Sequence, residues 1–334
     1  MRPAAPTTPD TKHFDVFNGD ADGICALQQL RLHTPRPGAH LITGVKRDSA
    51  LLQRVEATPG SRITVLDVSL DRNREPLNRL LAQGCRVFYA DHHFSGSLPD
   101  SPLLEAHIDP SARTCTSLIV DRLLHSAHSG WALAGAYGDS LDETAGAHGR
   151  SLGYNDDELM LLAELGRLLN YNSYGRSERD LHIHPADLYR ALAPYADPLQ
   201  FCRESPMLTA LRRGHAEDTA AAAHLKPYRE FPGGRVFLLP QAAWAARMLG
   251  PLANRLCRER PELAHALLLP LGNEACMVSV RAPLHTAQGA DSLCRAYATG
   301  GGRAAAAGIN HLPRAMQEQF LADFAAHFPQ PAPA

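Results

Sequence analysis

Apolar and polar positions recur in two ways along the first half of the chain. Short runs rich in β-branched and aromatic residues read as strands: His13-Phe14-Asp15-Val16-Phe17, His40-Leu41-Ile42-Thr43-Gly44-Val45, Arg62-Ile63-Thr64-Val65-Leu66 and Arg86-Val87-Phe88-Tyr89-Ala90. Between them Ile24, Leu27, Leu30 and Leu32 recur at roughly helical spacing, Ser49 to Ala57 carries a short helical pattern, and Arg74 to Gln83 forms a helix closed by Gly84. Ala106 to Pro110 predicts another short strand. Thr116 to His125, Trp131 to Tyr137 and Asp156 to Asn170 predict helices, the last with Leu159, Leu162, Leu165 and Leu169 along one face. Strand and helix in alternation predict an α/β fold with a doubly wound, mainly parallel sheet.

Past residue 190 the pattern changes. Pro185, Pro194 and Pro198 mark a connector with short helices, and a second periodic region starts near Leu211. It predicts strands over 235–239, 265–269 and 275–281 and helices over 244–258, 290–298 and 314–327. The stretch Gly300-Gly301-Gly302-Arg303 lies between the last two of these helices. These elements make a smaller α/β domain with a mixed sheet. The expected limits are 13–190 and 213–328, with 191–212 between them. At 334 residues the chain is long enough for two cores.

The chemistry gathers at strand ends. Asp20 and Asp22 fall where the first strand gives way to a helix, Asp67 ends the third strand, and Asp91-His92-His93 follows the fourth. Ligands of open α/β sheets bind at that carboxyl edge. Asp139 follows a predicted helix and adds another carboxylate. Carboxylates in a glycine-bearing turn repel anions unless a cation lies between them, which points to a metal site and not to a phosphate cradle. Asp-x-Asp-Gly also fits an ordinary turn, because Asp bonds its own backbone. It fits the start of a calcium loop too, but the twelfth position is Gln29 where that loop needs Glu, and a strand precedes the stretch. Oxygen donors with an imidazole suit manganese, cobalt or magnesium. Two ions roughly 3.5–4 Å apart would neutralise the cluster and activate a bridging water. Asp67, on the central strand, is the candidate bridge.

Composition narrows the partners. Lys and Arg number 33 against 35 acidic residues, a net charge of -2, and this lacks the basic surplus of proteins that track long nucleic acid. Lys12, Lys46 and Lys226 are the only lysines. Seven cysteines with no Cys-x-x-Cys suit reduced thiols in a cytoplasm, the expected location, better than disulfides or a thiolate zinc. No apolar run is long enough to span a bilayer. Met1 to Lys12 and Pro329 to Ala334 read as loose tails. Weaker candidates are His182-x-His184, which reads as a solvated loop, and Ser140, which lacks a paired base. Tyr171 and Tyr174 fit either base stacking or packing.

Taken in order, Asn18-Gly19-Asp20-Ala21-Asp22-Gly23, the strand-end Asp67, Asp91-His92-His93 and Gly138-Asp139-Ser140 resemble the motifs of the DHH phosphoesterases, the first being closest to the RecJ form. Ser279-Val280-Arg281 is similar to the Ser-x-Arg strand of the DHH-associated domain. Gly300-Gly301-Gly302-Arg303 through Ala307-Gly308 is similar to its glycine-rich loop. The resemblance runs from about Phe14 to His327. It implies a metal-dependent phosphoesterase with its active site in a cleft between two domains. Asp20, Asp22, Asp67, His92 and Asp139 would be metal ligands, with Asn18 a further candidate, and the cofactor two Mn²⁺ ions, with Co²⁺ or Mg²⁺ also fitting. His93 would contact phosphate or donate a proton. Arg281, Ser279, Gly300, Gly301, Gly302 and Arg303 would bind substrate.

The substrates implied are short oligonucleotides, dinucleotides and nucleotide monophosphoesters. The alternatives are a RecJ-like exonuclease on long single strands, a pAp-type monoesterase, and a nucleotide-binding protein that has lost catalysis. No stable protein partner is inferred, and a homodimer fits the resemblance. Three positions depart from the relatives. Phe14 and Asn18 stand where nano-RNases and family-II pyrophosphatases carry His and Asp, and Arg303 stands where relatives often carry His.

Overall fold

The computed structural model describes residues 11–329, so all but Thr11, Lys12 and Pro329 of the tails expected at 1–12 and 329–334 lies outside the described residues. Two compact units result, residues 11–173 with 182–212 and residues 174–181 with 213–329. Residues 191–212 therefore group with the first unit.

In the first unit β1 (His13–Phe17), β2 (His40–Ile42), β3 (Arg62–Leu66), β4 (Arg86–Asp91) and β5 (Leu104–Ile108) form one sheet in the order β2-β1-β3-β4-β5. Every neighbouring pair is parallel, as the alternating pattern predicts. The chain leaves β1 for the edge strand β2 and then crosses back to β3. The strand order thus reverses between β1 and β3, which puts the binding crevice at their carboxyl ends. The helices are α1 (Ala21–His33), α2 (Arg74–Ala82), α3 (Thr116–Leu123), α4 (Ser129–Gly138), α5 (Asp142–Ser151), α6 (Asp156–Ser173), α7 (Pro185–Leu192), α8 (Pro198–Glu204) and the first turns of α9 (Pro206–Ala223), whose residues from 213 on belong to the second unit.

Alternation along the strands feeds two cores. Phe17 and Leu66 pack with Ile24, Leu27, Trp131 and Leu169, whereas Val16, Ile63 and Val65 pack with Leu77, Leu80 and Tyr89. The helix α4 is buried along its whole length and lies among α1, α3, α5 and α6. Glycine lets it sit that close. A Cβ on Gly138 would stand 2.2 Å from the Ala21 Cβ, and one on Gly166 would stand 2.1 Å from the Ala134 carbonyl oxygen. This tight seating brings the end of α4, and with it Asp139, to the start of α1.

Some predicted elements differ. The second strand stops at Ile42, because its ladder with β1 holds only three residue pairs. The pattern at Ser49 to Ala57 yields a single 3-10 turn at Leu51–Arg54. The helix α5 has no counterpart among the predicted elements: Asp142–Ser151 is polar, with two glycines and no apolar stripe.

The second unit contains β6 (Arg229–Phe231), β7 (Gly234–Leu238), α10 (Ala243–Glu259), β8 (Ala264–Leu271), β9 (Ala275–Arg281), α11 (Ala290–Arg295), β10 (Gly300–Arg303), β11 (Ala306–Pro313) and α12 (Gln317–His327). Its mixed sheet runs β10-β11-β9-β8-β7-β6, with only β7 and β8 parallel. The glycine stretch is therefore not a loop. It is the edge strand β10, hairpinned to β11. A Cβ on Gly300 would lie 1.7 Å from the Cys294 carbonyl oxygen, and Gly302 has φ +140 with Ala307 against it, so the close approach demands glycine. The same composition hides the strand from a pattern search.

Val278 and Val280 face a core shared with α11 and α12. Ser279 and Arg281 consequently face the opposite side of β9. All seven cysteines are buried and none is in a disulfide. Among the described residues no helix is long and apolar enough to cross a membrane.

Candidate metal centre

Helix starts hold two of the acids. Asp20 caps α1, its Oδ1 accepting from the amides of Asp22 and Gly23, both at 3.1 Å. Asp22 is fully buried and uses both oxygens, accepting from the amides of Thr116 and Ser117 at 2.7 Å each. It thereby anchors the first turn of α3. Both carboxylates sit at positive helix ends, which favour anions.

The other two acids have no such support. Asp67 leaves β3 in the left-handed region, at φ 56, a conformation that Asp and Asn adopt more readily than other residues with a side chain. Asp139 terminates α4, at the negative end of a helix. These two meet at an imidazole. His92 Nε2 lies 3.3 Å from Asp139 Oδ2, 3.4 Å from Asp67 Oδ1 and 4.0 Å from Asp22 Oδ2. His93 is its neighbour, with Nδ1 2.7 Å from the buried Asp91 and 3.9 Å from Asp67 Oδ1.

The protonation preferences show where charge is lacking. Burial drives the Asp67 carboxyl well above the usual carboxylate range, and the charges of Asp20, Asp22, Asp139 and Asp91 drive it further. Burial also raises Asp139, helped by Asp22 and Asp20, although Lys46 opposes the shift. Burial would raise Asp20 as well, but the Lys46 charge and hydrogen bond override it and hold the carboxyl low. The hydrogen bond to Asp91 raises His93 against the effect of burial. The missing positive charge therefore belongs beside Asp67, Asp139 and His92. Donor atoms of Asp22, His92 and Asp139 lie within 4.8 Å of one another, as do those of Asp67, His92 and His93. Hard oxygens with an imidazole nitrogen fit a divalent ion such as Mn²⁺ or Mg²⁺.

Pattern reasoning missed Lys46 as a site residue. Its Nζ lies 2.5 Å from Asp20 Oδ2, 2.9 Å from Asn170 Oδ1 and 3.1 Å from Asp139 Oδ1. The available signal was its place just beyond β2, on the same carboxyl edge as the acids. Asn18 serves the backbone: its side chain donates to the Lys46 carbonyl oxygen and accepts from the Asp20 amide, both at 3.3 Å. The weaker candidates have local partners. His182 bonds the Tyr171 hydroxyl at 2.8 Å, Tyr171 is buried, and His184 caps α7 through the Ala186 amide. Ser140 occupies a turn at φ 62.

In the second unit Arg281 Nε donates to Asn254 Oδ1 at 2.8 Å, and its Nη1 donates to Ser279 Oγ at 3.1 Å. Burial pushes the guanidinium pKa down, and among the described residues no carboxylate pairs with it. Register aligns Arg281, Ala306 and Arg303 in one row across β9, β11 and β10, with Ser279, Gly308 and Gly301 in a second row on the same face. A Cβ on Gly301 would meet nothing within 4 Å. The result is a strip of small residues with arginines at two corners.

No protein-family profile matches the chain, and no curated protein matches it. Solved structures do. Exonuclease RecJ bound to manganese aligns with a TM-score of 0.62 at 19% identity, covering 96% of this chain and 91% of that one. The DHH domain of a member of a family of ribosomal proteins aligns at 0.65 and 13% identity, covering 95% and 86%. The pGpG-specific phosphodiesterase PggH from Vibrio cholerae aligns at 0.52 and 13% identity, covering 95% and 98%. At these identities the likeness is one of fold, and the chain has the α/β fold of RecJ and of DHH-domain proteins.

Proposed function

We propose that this chain, folded as RecJ and DHH-domain proteins are, is a divalent-metal-dependent phosphoesterase. Its substrates in this reading are the phosphodiester bonds of short oligonucleotides or dinucleotides. The observation that carries it is the convergence of Asp22, Asp67 and Asp139 on His92 Nε2 at a sheet-edge crevice. An exonuclease and a phosphodiesterase among the fold neighbours support it, as does the manganese bound to RecJ, which makes Mn²⁺ the preferred ion. A divalent ion held by Asp22, Asp67, His92 and Asp139 would supply Lewis-acid polarisation of the phosphoryl group and lower the pKa of an attacking water.

His93 supplies the proton. Asp91 engages its Nδ1, which leaves Nε2 to protonate the departing oxygen. The acid must be protonated to act, so activity falls as pH rises through the His93 pKa. Asp91→Asn removes the group that raises this pKa. The alkaline limb of the kcat profile is therefore expected to move to lower pH. A limb that stays in place would remove His93 from that role.

Arg281 and Arg303 are the proposed phosphate contacts of the second unit, with Ser279 and the backbone of Gly300, Gly301 and Gly302 as the floor beneath them. A guanidinium–phosphate contact is worth roughly 1.5–3 kcal/mol. Arg281→Ala is expected to cost about one to two decades of kcat/KM on a dinucleotide. It should cost little on bis-p-nitrophenyl phosphate, which lacks a second nucleotide. Equal losses on both substrates would mark a general defect instead.

One screen tests the reading as a whole. Purified protein with Mn²⁺ is offered dinucleotides, pentanucleotides and thirty-nucleotide strands of RNA and DNA, together with pAp and pyrophosphate. Fastest turnover is expected on the dinucleotides. Preference for the thirty-nucleotide strands would establish a RecJ-like exonuclease, and turnover of pAp alone a monoesterase. Binding without turnover would leave a nucleotide-binding protein.

A further inference from the structure

We infer that the Lys46 ammonium stands where a binuclear centre would hold one of its cations, so that this chain binds a single divalent ion. The inference rests on the metal site proposed above and concerns how many ions that site takes. Asp139 carries the first observation. Its Oδ2 faces His92 Nε2 at 3.3 Å, and its Oδ1 faces Lys46 Nζ at 3.1 Å. A carboxylate bridging two metals divides its oxygens in the same way, one to each cation. Here one of the two cations is an ammonium fixed to the chain.

The donors on the lysine side are already committed. Asp20 gives Oδ2 to Lys46 at 2.5 Å and Oδ1 to the first turn of α1. Asn170 gives its Oδ1 to Lys46 at 2.9 Å. Asn18, in the same turn as Asp20, presents a neutral amide, and that amide holds the Lys46 carbonyl oxygen. A second divalent ion would have to displace the ammonium from these oxygens, and the neutral Asn18 adds no negative charge in that turn to favour it. On the other side Asp22, Asp67 and Asp139 Oδ2 face His92 Nε2 at 4.0, 3.4 and 3.3 Å, and in this reading they hold the single ion with it.

Side-chain choice agrees with this. Arginine supplies nearly all the positive charge of the chain, and Lys46 is one of three lysines. An ammonium is a compact point charge with donors in several directions, whereas a guanidinium is a planar fork. Only the former matches three oxygens arranged around one point.

The test is metal stoichiometry. Wild-type protein is loaded with Mn²⁺, desalted and analysed for metal, with calorimetric titration and Mn²⁺ electron paramagnetic resonance on the same sample. About one tightly held Mn²⁺ per chain is expected, with the six-line spectrum of an isolated ion. The double variant Asn18→Asp/Lys46→Ala introduces a carboxylate and removes the ammonium. With circular dichroism confirming its fold, it is expected to take about two ions and show an exchange-coupled spectrum. Two coupled ions in the wild type would overturn the role of Lys46 and leave the phosphoesterase reading intact, as would a folded double variant that still takes only one. No tight ion in the wild type would defeat the phosphoesterase reading itself.

Discussion

Asp67→Asn is expected to lower kcat by at least about three decades while making the metal-free protein more resistant to heat. The two effects have one cause. Asp67 is buried among Asp20, Asp22, Asp91 and Asp139, and its folded-state pKa stands well above the unfolded value. For a carboxyl shifted upward, the ionised form costs folding free energy. That cost is absent below the unfolded pKa, grows as pH rises towards the folded pKa, and is complete above it. The amide carries no charge and avoids the cost, so at neutral pH the metal-free variant should melt higher than the wild type. Towards pH 4 the advantage should shrink. The amide is also a poor ligand for a divalent ion, so the stabilisation that Mn²⁺ gives the wild type should be largely lost. Melting curves in EDTA at two pH values, with and without added Mn²⁺, separate these contributions. A variant with near-normal kcat would mean that Asp67 is not a ligand.

The acids at the ends of β1 and β3 and the imidazoles after β4 are legible because two simple rules coincide there. Buried parallel strands read as short apolar runs, and the residue that follows such a run lies on the binding edge. The same rule applies to Lys46 at the end of β2. There it is obscured, because β2 pairs over only three residues and the polar sequence after it resembles any surface turn. The role of Asp91 is hidden differently: as the last residue of β4 it engages Nδ1 of His93, a partner two residues on that periodicity does not mark. The β10–β11 hairpin is not read as a pair of strands because glycine, required by the close approach to Cys294 and Ala307, is among the residues most depleted in strands.

The grouping of residues 174–181 with the second unit also has no local signature. It depends on Arg247, a buried arginine in α10 that pairs with Asp218 at 2.7 Å and donates to the Asp180 carbonyl oxygen. Periodicity marks that position only as polar. Strand order has the same origin, since the pattern predicts parallel strands but not which of them lie side by side.

Removal of the metal is expected to abolish turnover and to lower the melting temperature, and both should return with Mn²⁺. An ion that binds only the folded state stabilises it by RT ln(1 + [L]/Kd), about 2.7 kcal/mol at a hundredfold excess over Kd. For a domain of this size each kcal/mol moves the melting temperature by about 2–4 °C, so the shift should be roughly 5–10 °C. Protons compete for the same oxygens. Asp67 and Asp139 hold their protons to higher pH than ordinary carboxylates, so the Mn²⁺-induced shift should shrink as the solution is acidified through their raised pKa values. Asp20 adds little to this dependence, because Lys46 keeps it ionised to lower pH. A shift that is constant down to pH 4 would place the ion away from Asp67 and Asp139. Full turnover after exhaustive dialysis against EDTA would go further and exclude metal-dependent hydrolysis.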